Sequence, residues 1–455
     1  MTENSETRRL AIIGGGFSGA AVALDALSAA GGKLHVSLID RGGQFGRGLA
    51  YSTVDPNHLL NVPAQRMSVR ADAPDDFVLW LQVAGEAGGD KGAFATRSAF
   101  GDYLEARMRR ALSQAAPLDL IADEAIGLER FSTGFRVRLK SSAPIDADDV
   151  VLAYGHPPAR APFDAAELST DQFKADPWDA AAIAAIPTGQ SVLLLGAGLT
   201  MIDMAMTLTP REGALYALSR RGLTPHTHAI GGAPAASAHI DLPVELSDAL
   251  HLLRREARRY EQAGETWQRL IDQLRPDVQQ FWRRLTPGQQ RRFLRHARPY
   301  WDVHRHRASP SVAARIATLR DAGGLRVIAG KIEAVAPLAD GVRVTYRPRG
   351  AIAPETLEVC CIVNCTGADP DPRDHPSALI QRALADGLIR PNPLGLGVDS
   401  AEDGAVFGAG GAKADALYVI GPPTQGALWE STAVPEIRAA AARLGARIAA
   451  KVNPS

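Results

Sequence analysis

Three glycines near the amino terminus have the spacing of a phosphate-binding turn. Gly14, Gly16 and Gly19 form a Gly-x-Gly-x-x-Gly motif directly after a short apolar run. In such a turn the first glycine permits a tight bend, the second admits a pyrophosphate to the backbone, and the third lets helix and strand pack closely. Phe17 and Ser18 open the following helix, whose free N–H groups would bind the phosphates.

An acidic residue follows where a dinucleotide ribose would bind. Asp40 comes directly after the apolar segment 34–39, with Arg41 beside it, and its carboxylate is suited to accept hydrogen bonds from ribose hydroxyls. The alternative is a glycine-rich turn that binds no ligand. The strand–turn–helix–strand order favours dinucleotide binding over that alternative.

A second glycine turn lies near the middle of the chain. Gly196 and Gly198 follow another apolar run, and Leu199 and Thr200 open the next helix, but Met201 replaces the third glycine. We therefore expect helix and strand to pack less closely in this second unit.

Two arginines end the strand that follows the second turn. Arg220 and Arg221 stand where the first unit has its acid. An arginine pairs with the 2′-phosphate that distinguishes NADPH from NADH, so the sequence predicts NADPH as the second dinucleotide. The alternative is a degenerate unit with two surface arginines.

A basic, aromatic stretch at 291–307 is a candidate for substrate contact. Trp301, His304, Arg305 and His306 are suited to a lid or a carboxylate-binding wall. The alternative is a solvated helix surface paired with local acids. The His-x-His pairs of this chain have no cysteine or carboxylate cluster near them in sequence, so we predict no metal site.

Alternating strand and helix patterns position these residues. Each glycine turn lies between an apolar strand and a helix, which predicts an α/β fold with two Rossmann-like dinucleotide-binding domains. Between about 241 and 307 arginine, histidine, tryptophan and glutamine dominate, and leucines recur at helical spacing. This composition and leucine spacing predict a helical insertion.

The composition excludes several classes of protein. The chain has 455 residues, of which 46% are hydrophobic and 22% charged, as in ordinary globular proteins. Its 50 basic residues balance 50 acidic ones, so no net field favours nucleic acid or a membrane. Three cysteines and a polar amino terminus without a signal-peptide core lead us to expect a cytoplasmic protein. The oligomeric state is left open.

The two glycine turns and their linking segments resemble flavoproteins with two dinucleotide-binding domains, one inserted in the other. The segment 150–155, ending at Gly155, and the segment 362–367, ending at Gly367, resemble the crossings between those domains. The stretches Gly-Leu-Ala-Tyr-Ser, Leu-Asn-Val-Pro-Ala and Gly-Ala-Leu-Trp-Glu are similar to a bacterial FAD/NAD(P)-binding family that includes nitrosuccinate-synthase-type N-oxygenases. The resemblance extends to class B flavin monooxygenases and amine N-hydroxylases.

This resemblance implies the cofactors and the domain boundaries. FAD would bind to a discontinuous domain formed by 1–165 and 325–455, and NADPH to an inserted domain at 166–324 that includes the helical insertion. The loop 42–70 would then wrap the FAD. In it Arg47 is a candidate to neutralise a phosphate, and Asn61 and Gln65 are candidates to approach the isoalloxazine in a catalytic role. The alternative is that these three are polar residues of a surface loop.

Some residues depart from the flavoprotein patterns. A dithiol relay needs two cysteines a turn apart, whereas Cys361 and Cys365 lie on one predicted strand, too far apart for a disulfide. We read both as buried packing residues. The motif Phe-x-Gly-x-x-x-His, which is typical of Baeyer–Villiger monooxygenases, does not precede the second glycine turn, and its absence disfavours ketone oxygenation. Gly421 precedes a proline where many flavoproteins have Gly-Asp to hold the flavin ribityl chain. Either backbone N–H groups from Gly426 onward hold that chain instead, or FAD binds less tightly.

Three hypotheses about function remain. The favoured one is an FAD-containing, NADPH-consuming monooxygenase acting through a C4a-peroxyflavin on O2 and a small polar substrate such as an amino acid or amine. The second is an NADPH-dependent flavin reductase or dehydrogenase without productive oxygen use. The third is a flavin-bound redox sensor that is not an enzyme.

Overall fold

The structure is a computed structural model that describes residues 7–114, 116–229 and 240–452. The chain divides into two compact units. The first unit comprises Met1–Val54, Val62–Pro157 and Pro370–Ser455, and the second comprises Asp55–Asn61 and Pro158–Asp369. Among the described residues, none of the helices has both the length and the apolar character that a membrane crossing requires.

The first part of the chain forms the amino-terminal portion of the first unit. Its strands are β1 (Arg8–Ile13), β2 (Leu34–Ile39), β3 (Leu118–Ile121), β4 (Ala125–Phe131), β5 (Gly134–Leu139), β6 (Ile145–Ala147) and β7 (Asp149–Leu152). Its helices are α1 (Phe17–Ala30), α2 (Asp76–Ala84) and α3 (Arg97–Ser113).

The second unit is formed by the middle of the chain. Its strands are β8 (Phe173–Lys174), β9 (Val192–Leu195), β10 (Leu215–Ser219), β11 (Leu325–Leu338), β12 (Gly341–Pro348), β13 (Glu355–Val359) and β14 (Cys361–Asn364). Its helices are α4 (Ala180–Ala184), α5 (Leu199–Thr207), α6 (Leu246–Gln262), α7 (Trp267–Leu274), α8 (Val278–Arg284), α9 (Pro287–His296), α10 (Arg298–Arg305) and α11 (Pro310–Asp321).

The last part of the chain returns to the first unit. It contributes α12 (Ala378–Ala385), β15 (Ala405–Phe407), β16 (Lys413–Val419) and α13 (Val434–Ala450).

A six-stranded sheet forms the centre of the first unit, in the order β15-β16-β7-β1-β2-β3. All neighbours are parallel except β15 and β16. The apolar runs of β1, β2 and β7 are buried almost throughout, as expected for parallel strands covered on both faces. The alanine-rich α1 ends at Gly31, whose left-handed backbone favours glycine.

A seven-stranded sheet forms the centre of the second unit, in the order β13-β12-β11-β10-β9-β14-β8. The strands β8, β14, β9, β10 and the start of β11 are parallel, and β12 and β13 add an antiparallel extension. The predicted helical insertion is present as α6–α10. Its α9 begins with a capping box, in which Thr286 and Gln289 satisfy each other's backbone N–H groups.

These features confirm the predicted α/β class with two Rossmann-like domains. The second unit, however, extends from 158 to 369, beyond the predicted 166–324. The physical reason is strand pairing, since β11 hydrogen-bonds to β10 and β14 to β9. The segment 325–364 therefore completes the sheet of the second unit, whereas the sequence predicts it in the first domain.

Candidate functional site

The first glycine turn leaves no room for a side chain at its first position. Gly14 has a φ of +110°, and its N–H donates to the carbonyl oxygen of Ile39 at 2.8 Å. A Cβ atom on Gly14 would lie 2.3 Å from the carbonyl oxygen of Ala153, which follows the neighbouring strand β7. The three strand ends therefore meet at this one residue, and only glycine fits there.

The third glycine lets α1 lie directly on the turn. A Cβ on Gly19 would stand 1.9 Å from the carbonyl oxygen of Gly14. The second glycine, Gly16, is the N-cap residue of α1 and has extended backbone. Because α1 has no capping side chain and no acidic residue in its first turn, its N–H groups at Phe17 and Ser18 are suited to an anion.

Asp40 has a structural role in addition to its predicted one. Its two carboxylate oxygens accept hydrogen bonds from the N–H groups of Gly15 at 2.8 Å and Gly42 at 2.9 Å. Each oxygen keeps a second lone pair, so the carboxylate can still accept from a ribose hydroxyl. Asp40 therefore fixes the glycine turn against the end of β2 and remains suited to ribose. The neighbouring Arg41 is exposed.

A crevice for a ligand is expected where the strand order reverses, between β1 and β7. Gly155 lies just beyond β7 with a φ of +73°, and a Cβ there would meet no atom within 4 Å. Gly421 lies just beyond β16, and a Cβ there would stand 2.5 Å from Oγ of Ser18. Gly421 therefore lies in close contact with the first turn of α1, whereas Gly155 has open space beside it.

Two predicted FAD contacts are engaged elsewhere. The Arg47 guanidinium pairs with Glu105 at 2.5 Å and with Asp102, both on α3, so its charge is already compensated. The N–H of Gly426 donates to the carbonyl oxygen of Leu396 at 2.8 Å. Both residues stay predictions as FAD contacts, with the charge of Arg47 already compensated by two carboxylates and the N–H of Gly426 already donated to a carbonyl oxygen.

The second glycine turn repeats the geometry of the first. Gly196 has a φ of +117°, and its N–H donates to the carbonyl oxygen of Leu218 at 2.8 Å. A Cβ on Gly196 would lie 2.4 Å from the carbonyl oxygen of Cys365, which follows β14. Just beyond, Gly367 has a φ of +84° and open space around it, as Gly155 has in the first unit.

The N-terminus of α5 is more open than that of α1. Gly198 is its N-cap residue, and a Cβ there would meet no atom within 4 Å. The N–H groups of Leu199 and Thr200 follow, in a first turn without acidic residues. Met201 at the third position is fully buried and belongs to the hydrophobic core of the second unit.

The two arginines after β10 differ in their surroundings. Arg220 is exposed, and no carboxylate in residues 7–114, 116–229 and 240–452 pairs with it. Arg221 donates through Nη2 to the carbonyl oxygen of Arg295 at 3.3 Å and lies 5.4 Å from the ring centroid of Tyr300. Arg220 is therefore available for a phosphate, whereas Arg221 anchors α9 and α10 of the helical insertion beside it.

The two candidate catalytic amides fall in different units. Asn61 belongs to the second unit, where its main-chain carbonyl oxygen, not its side-chain amide, accepts a hydrogen bond from Nε2 of His228 at 2.9 Å. Gln65 belongs to the first unit and has an exposed side chain. Burial, followed by the nearby Arg307, lowers the pKa of His228 to about 4, so this imidazole is neutral at pH 7.

A hydrogen-bond network that no sequence pattern indicated fixes the segment 55–61 to α5. The hydroxyl of Thr207 donates to Asp55 at 2.6 Å and accepts from Nε2 of His58 at 2.8 Å. His58 is almost fully buried and its ring contacts that of Trp178. The partners are about 150 positions apart in the chain, so only the folded structure brings them together.

The predicted substrate residues lie on or beside α10. Nδ1 of His304 donates to the carbonyl oxygen of Tyr300 at 2.7 Å, and its ring packs against His226 and Trp267. Arg305 is 5% exposed, whereas Trp301 and His306 are partly exposed. The buried Arg305 does not fit the alternative of a solvated helix surface. In the part of the chain that the structure describes, no group of three or more potential ligands is arranged for a metal ion.

Comparisons with known proteins agree with this geometry. Residues 11–157 match the model of a family described as FAD-NAD(P)-binding. A search of curated protein sequences finds no match.

Several solved structures have the same fold. L-lysine 6-monooxygenase from Pseudomonas syringae is 17% identical with a TM-score of 0.67, and the alignment covers 96% of this chain and 98% of the monooxygenase. The ornithine N-hydroxylase of Kutzneria sp. 744, with FAD, NADP+ and L-ornithine, is 16% identical with a TM-score of 0.67, and the alignment covers 97% of this chain and 99% of the hydroxylase. Thioredoxin reductase from T. acidophilum is 9% identical with a TM-score of 0.55, and the alignment covers 98% of this chain and 99% of the reductase. These likenesses confirm the fold of two-dinucleotide-domain flavoproteins.

The two turns predict different responses to substitution. In Gly19→Ala the new methyl group would collide with the Gly14 carbonyl, so we expect a loss of about 1–3 kcal/mol of stability. In Gly198→Ser the side chain has space and serine is a preferred N-cap, so stability should be kept. Its hydroxyl would compete for the N–H groups of α5, and NADPH affinity should fall about tenfold. Thermal unfolding and NADPH titration measure the two effects.

Gly92→Ala is the matched control, because a Cβ at Gly92 meets no atom within 4 Å. A stable Gly19→Ala protein, or a Gly198→Ser protein with unchanged NADPH affinity, would contradict this description of the turns.

Substitution of the two arginines should separate recognition of the phosphate from support of the insertion. Arg220→Ala removes an exposed guanidinium suited to the 2′-phosphate, so the Kd for NADPH should rise about ten- to a hundredfold while that for NADH stays the same. Arg221→Ala removes the contacts with Arg295 and Tyr300 that support the helical insertion, so it should lower the melting temperature of the protein. Equal loss of both dinucleotides in Arg220→Ala would refute the assignment.

The buried His228 predicts a dependence of stability on pH. Its folded pKa of about 4 lies below the ordinary value of 6.5, so the stability gained from the neutral ring is full above pH 6.5 and is lost as pH falls toward 4. In His228→Gln an amide N–H replaces the imidazole donor and does not titrate. The decrease in melting temperature between pH 7.5 and 5 should therefore be smaller in this variant. The exposed His296→Gln serves as control, and an unchanged decrease in His228→Gln would count against the prediction.

Proposed function

We propose that this protein is an FAD-containing, NADPH-consuming N-monooxygenase that acts with O2 on a small polar amine or amino acid. The observation that carries the proposal is the repetition of one glycine turn, at Gly14 and at Gly196, each at the carboxyl end of a parallel sheet. Two such turns provide for two dinucleotides in one chain, as hydride transfer between a nicotinamide and a flavin requires.

The residues beside each turn support the choice of dinucleotide. Asp40, with free lone pairs next to α1, is suited to the ribose hydroxyls of FAD and would repel a 2′-phosphate. Arg220, exposed after β10, is suited to the 2′-phosphate of NADPH. The match of residues 11–157 to an FAD-NAD(P)-binding family supports placing a dinucleotide in the first unit.

Oxygen transfer is favoured over disulfide reduction on two grounds. The monooxygenases and hydroxylases named for lysine, ornithine and cadaverine match with TM-scores of 0.64 to 0.67, whereas the thioredoxin reductases match with 0.53 to 0.55. A dithiol relay beside a flavin also needs two cysteines a turn apart. Cys361 and Cys365 are both buried, on and just beyond β14, as the sequence predicted for packing residues.

The protein would contribute binding, orientation and electrostatics, since the cofactors carry the bond chemistry. When bound, FAD supplies hydride acceptance and activation of oxygen. The N–H groups of Phe17 and Ser18 would hold its pyrophosphate, and Asp40 its adenosine ribose. The N–H groups of Leu199 and Thr200 would hold the pyrophosphate of NADPH.

The central experiment is rapid-mixing reduction of the purified holoprotein. NADPH should bleach the flavin band faster than NADH, because Arg220 favours the 2′-phosphate. On admission of O2 with a panel of diamines and basic or acidic amino acids, one class should give a hydroxylamine product and less hydrogen peroxide. Flavin absorbance and a hydroxylamine assay measure the two steps.

The alternatives have distinct outcomes. Flavin bleaching with peroxide release and no product from any amine would favour the reductase or dehydrogenase hypothesis. A bound flavin that NADPH does not bleach would favour the redox sensor. A protein that binds no FAD would refute all three.

A further inference from the structure

Two adjacent cysteines are brought together outside the dinucleotide sites. Cys360 lies between β13 and β14, and Cys361 is the first residue of β14. Successive residues of a strand point to opposite faces, but the bend between these strands places the two sulfur atoms 3.8 Å apart. Cys360 is partly exposed and Cys361 is buried, so reagents reach the pair through Cys360.

The surroundings stabilise a negative charge on the outer sulfur. The thiol of Cys361 can donate to the sulfur of Cys360, and this contact and the cation of Arg211 together lower the pKa of Cys360 against the opposing effect of burial. Arg211 is fixed by donation to the carbonyl oxygens of Pro187 at 2.8 Å and of Gln190. Its Nε atom is buried and has no acceptor within the described part of the chain.

The third cysteine shows the contrast. Cys365 is buried just beyond β14, and burial raises the pKa of its thiol. It therefore lacks both the access and the charge that Cys360 has, and serves as an internal control for reactivity.

We propose that Cys360 and Cys361 form a peroxide-sensitive dithiol, in which Cys360 is the reactive thiolate and Cys361 the resolving thiol. This site differs from the dithiol relay of a disulfide reductase, because the residues are neighbours in the chain and Cys361 is buried. The dithiol does not depend on the proposed function. The proposed function would supply only one source of the oxidant, because a flavin that reduces oxygen without transferring it to a substrate releases hydrogen peroxide.

The chemistry has two steps. The Cys360 thiolate attacks one oxygen of hydrogen peroxide, so that an S–O bond forms, the O–O bond breaks and hydroxide leaves. The sulfur loses two electrons and the peroxide gains them. The sulfur of Cys361 then attacks the sulfenic acid, an S–S bond forms, and the sulfenic oxygen leaves as water with the thiol proton. A thiol reductant restores both thiols.

Alkylation of the holoprotein tests the first step. Iodoacetamide should label Cys360 at least about tenfold faster than Cys365 at pH 7, and the pH at half-maximal rate should lie below that of free cysteine, about 8.5. Cys361→Ala removes the hydrogen-bond donor and should move this midpoint upward, whereas the control Cys365→Ala should leave it in place. Should Cys361→Ala fail to fold, Arg211→Gln tests the same shift through the cation.

Mass spectrometry after peroxide treatment tests the second step. One tryptic fragment, 350–373, contains all three cysteines. In the wild type and in Cys365→Ala it should become lighter by two hydrogen atoms and regain them with dithiothreitol. In Cys361→Ala it should gain oxygen instead. Labelling of Cys360 no faster than that of Cys365, or a fragment that keeps free thiols after peroxide, would overturn the proposal whatever the flavin assays give.

Discussion

The organisation of each unit depends on one steric constraint at the end of its first strand. At Gly14 and again at Gly196, the backbone of the turn approaches the carbonyl oxygen that follows the neighbouring parallel strand so closely that a Cβ would lie 2.3 or 2.4 Å from it. The same glycines donate their N–H to the strand on the other side. Three strand ends are thereby level, as the registers Ile13↔Ile39, Ile13↔Leu152 and Asn364↔Leu195 show. A helix N-terminus then faces the gap that they border.

The two copies of this arrangement have diverged in ways that suit different ligands. The first copy is tight, because Gly19 brings α1 onto the turn and Asp40 ties Gly15 and Gly42 to the end of β2. The second is more open, with free space at Gly198 and an exposed Arg220, and a helical insertion anchored through Arg221. A carboxylate beside one turn and a guanidinium beside the other give the two sites opposite electrostatic character.

The sequence predicted the features that depend on local residue patterns, and it missed those that depend on pairing between residues far apart in the chain. Both glycine turns, Asp40, Arg220 and the helical insertion were found because motif spacing and apolar runs are local signals. The predicted domain boundary at 325 differs from the structure, because the sequence pattern of a strand does not indicate which sheet the strand joins. The hydrogen bonds between β11 and β10 place this segment in the second sheet. The pairing of Arg47 with Asp102 and Glu105 was not visible in the sequence, because these acids lie 55 and 58 positions away. The contact between Cys360 and Cys361 depends on a bend between two strands that no periodicity reveals.

The central claim is that the first turn binds the pyrophosphate of FAD and the second that of NADPH. A crystal structure of the purified protein soaked with NADP+ tests it most directly. We predict flavin density whose two phosphates lie against the N–H groups of Phe17 and Ser18, and a second dinucleotide at Leu199 and Thr200 with its 2′-phosphate beside Arg220. Density for FAD at the second turn, or side chains filling the space beside Gly14 and Gly155, would contradict it.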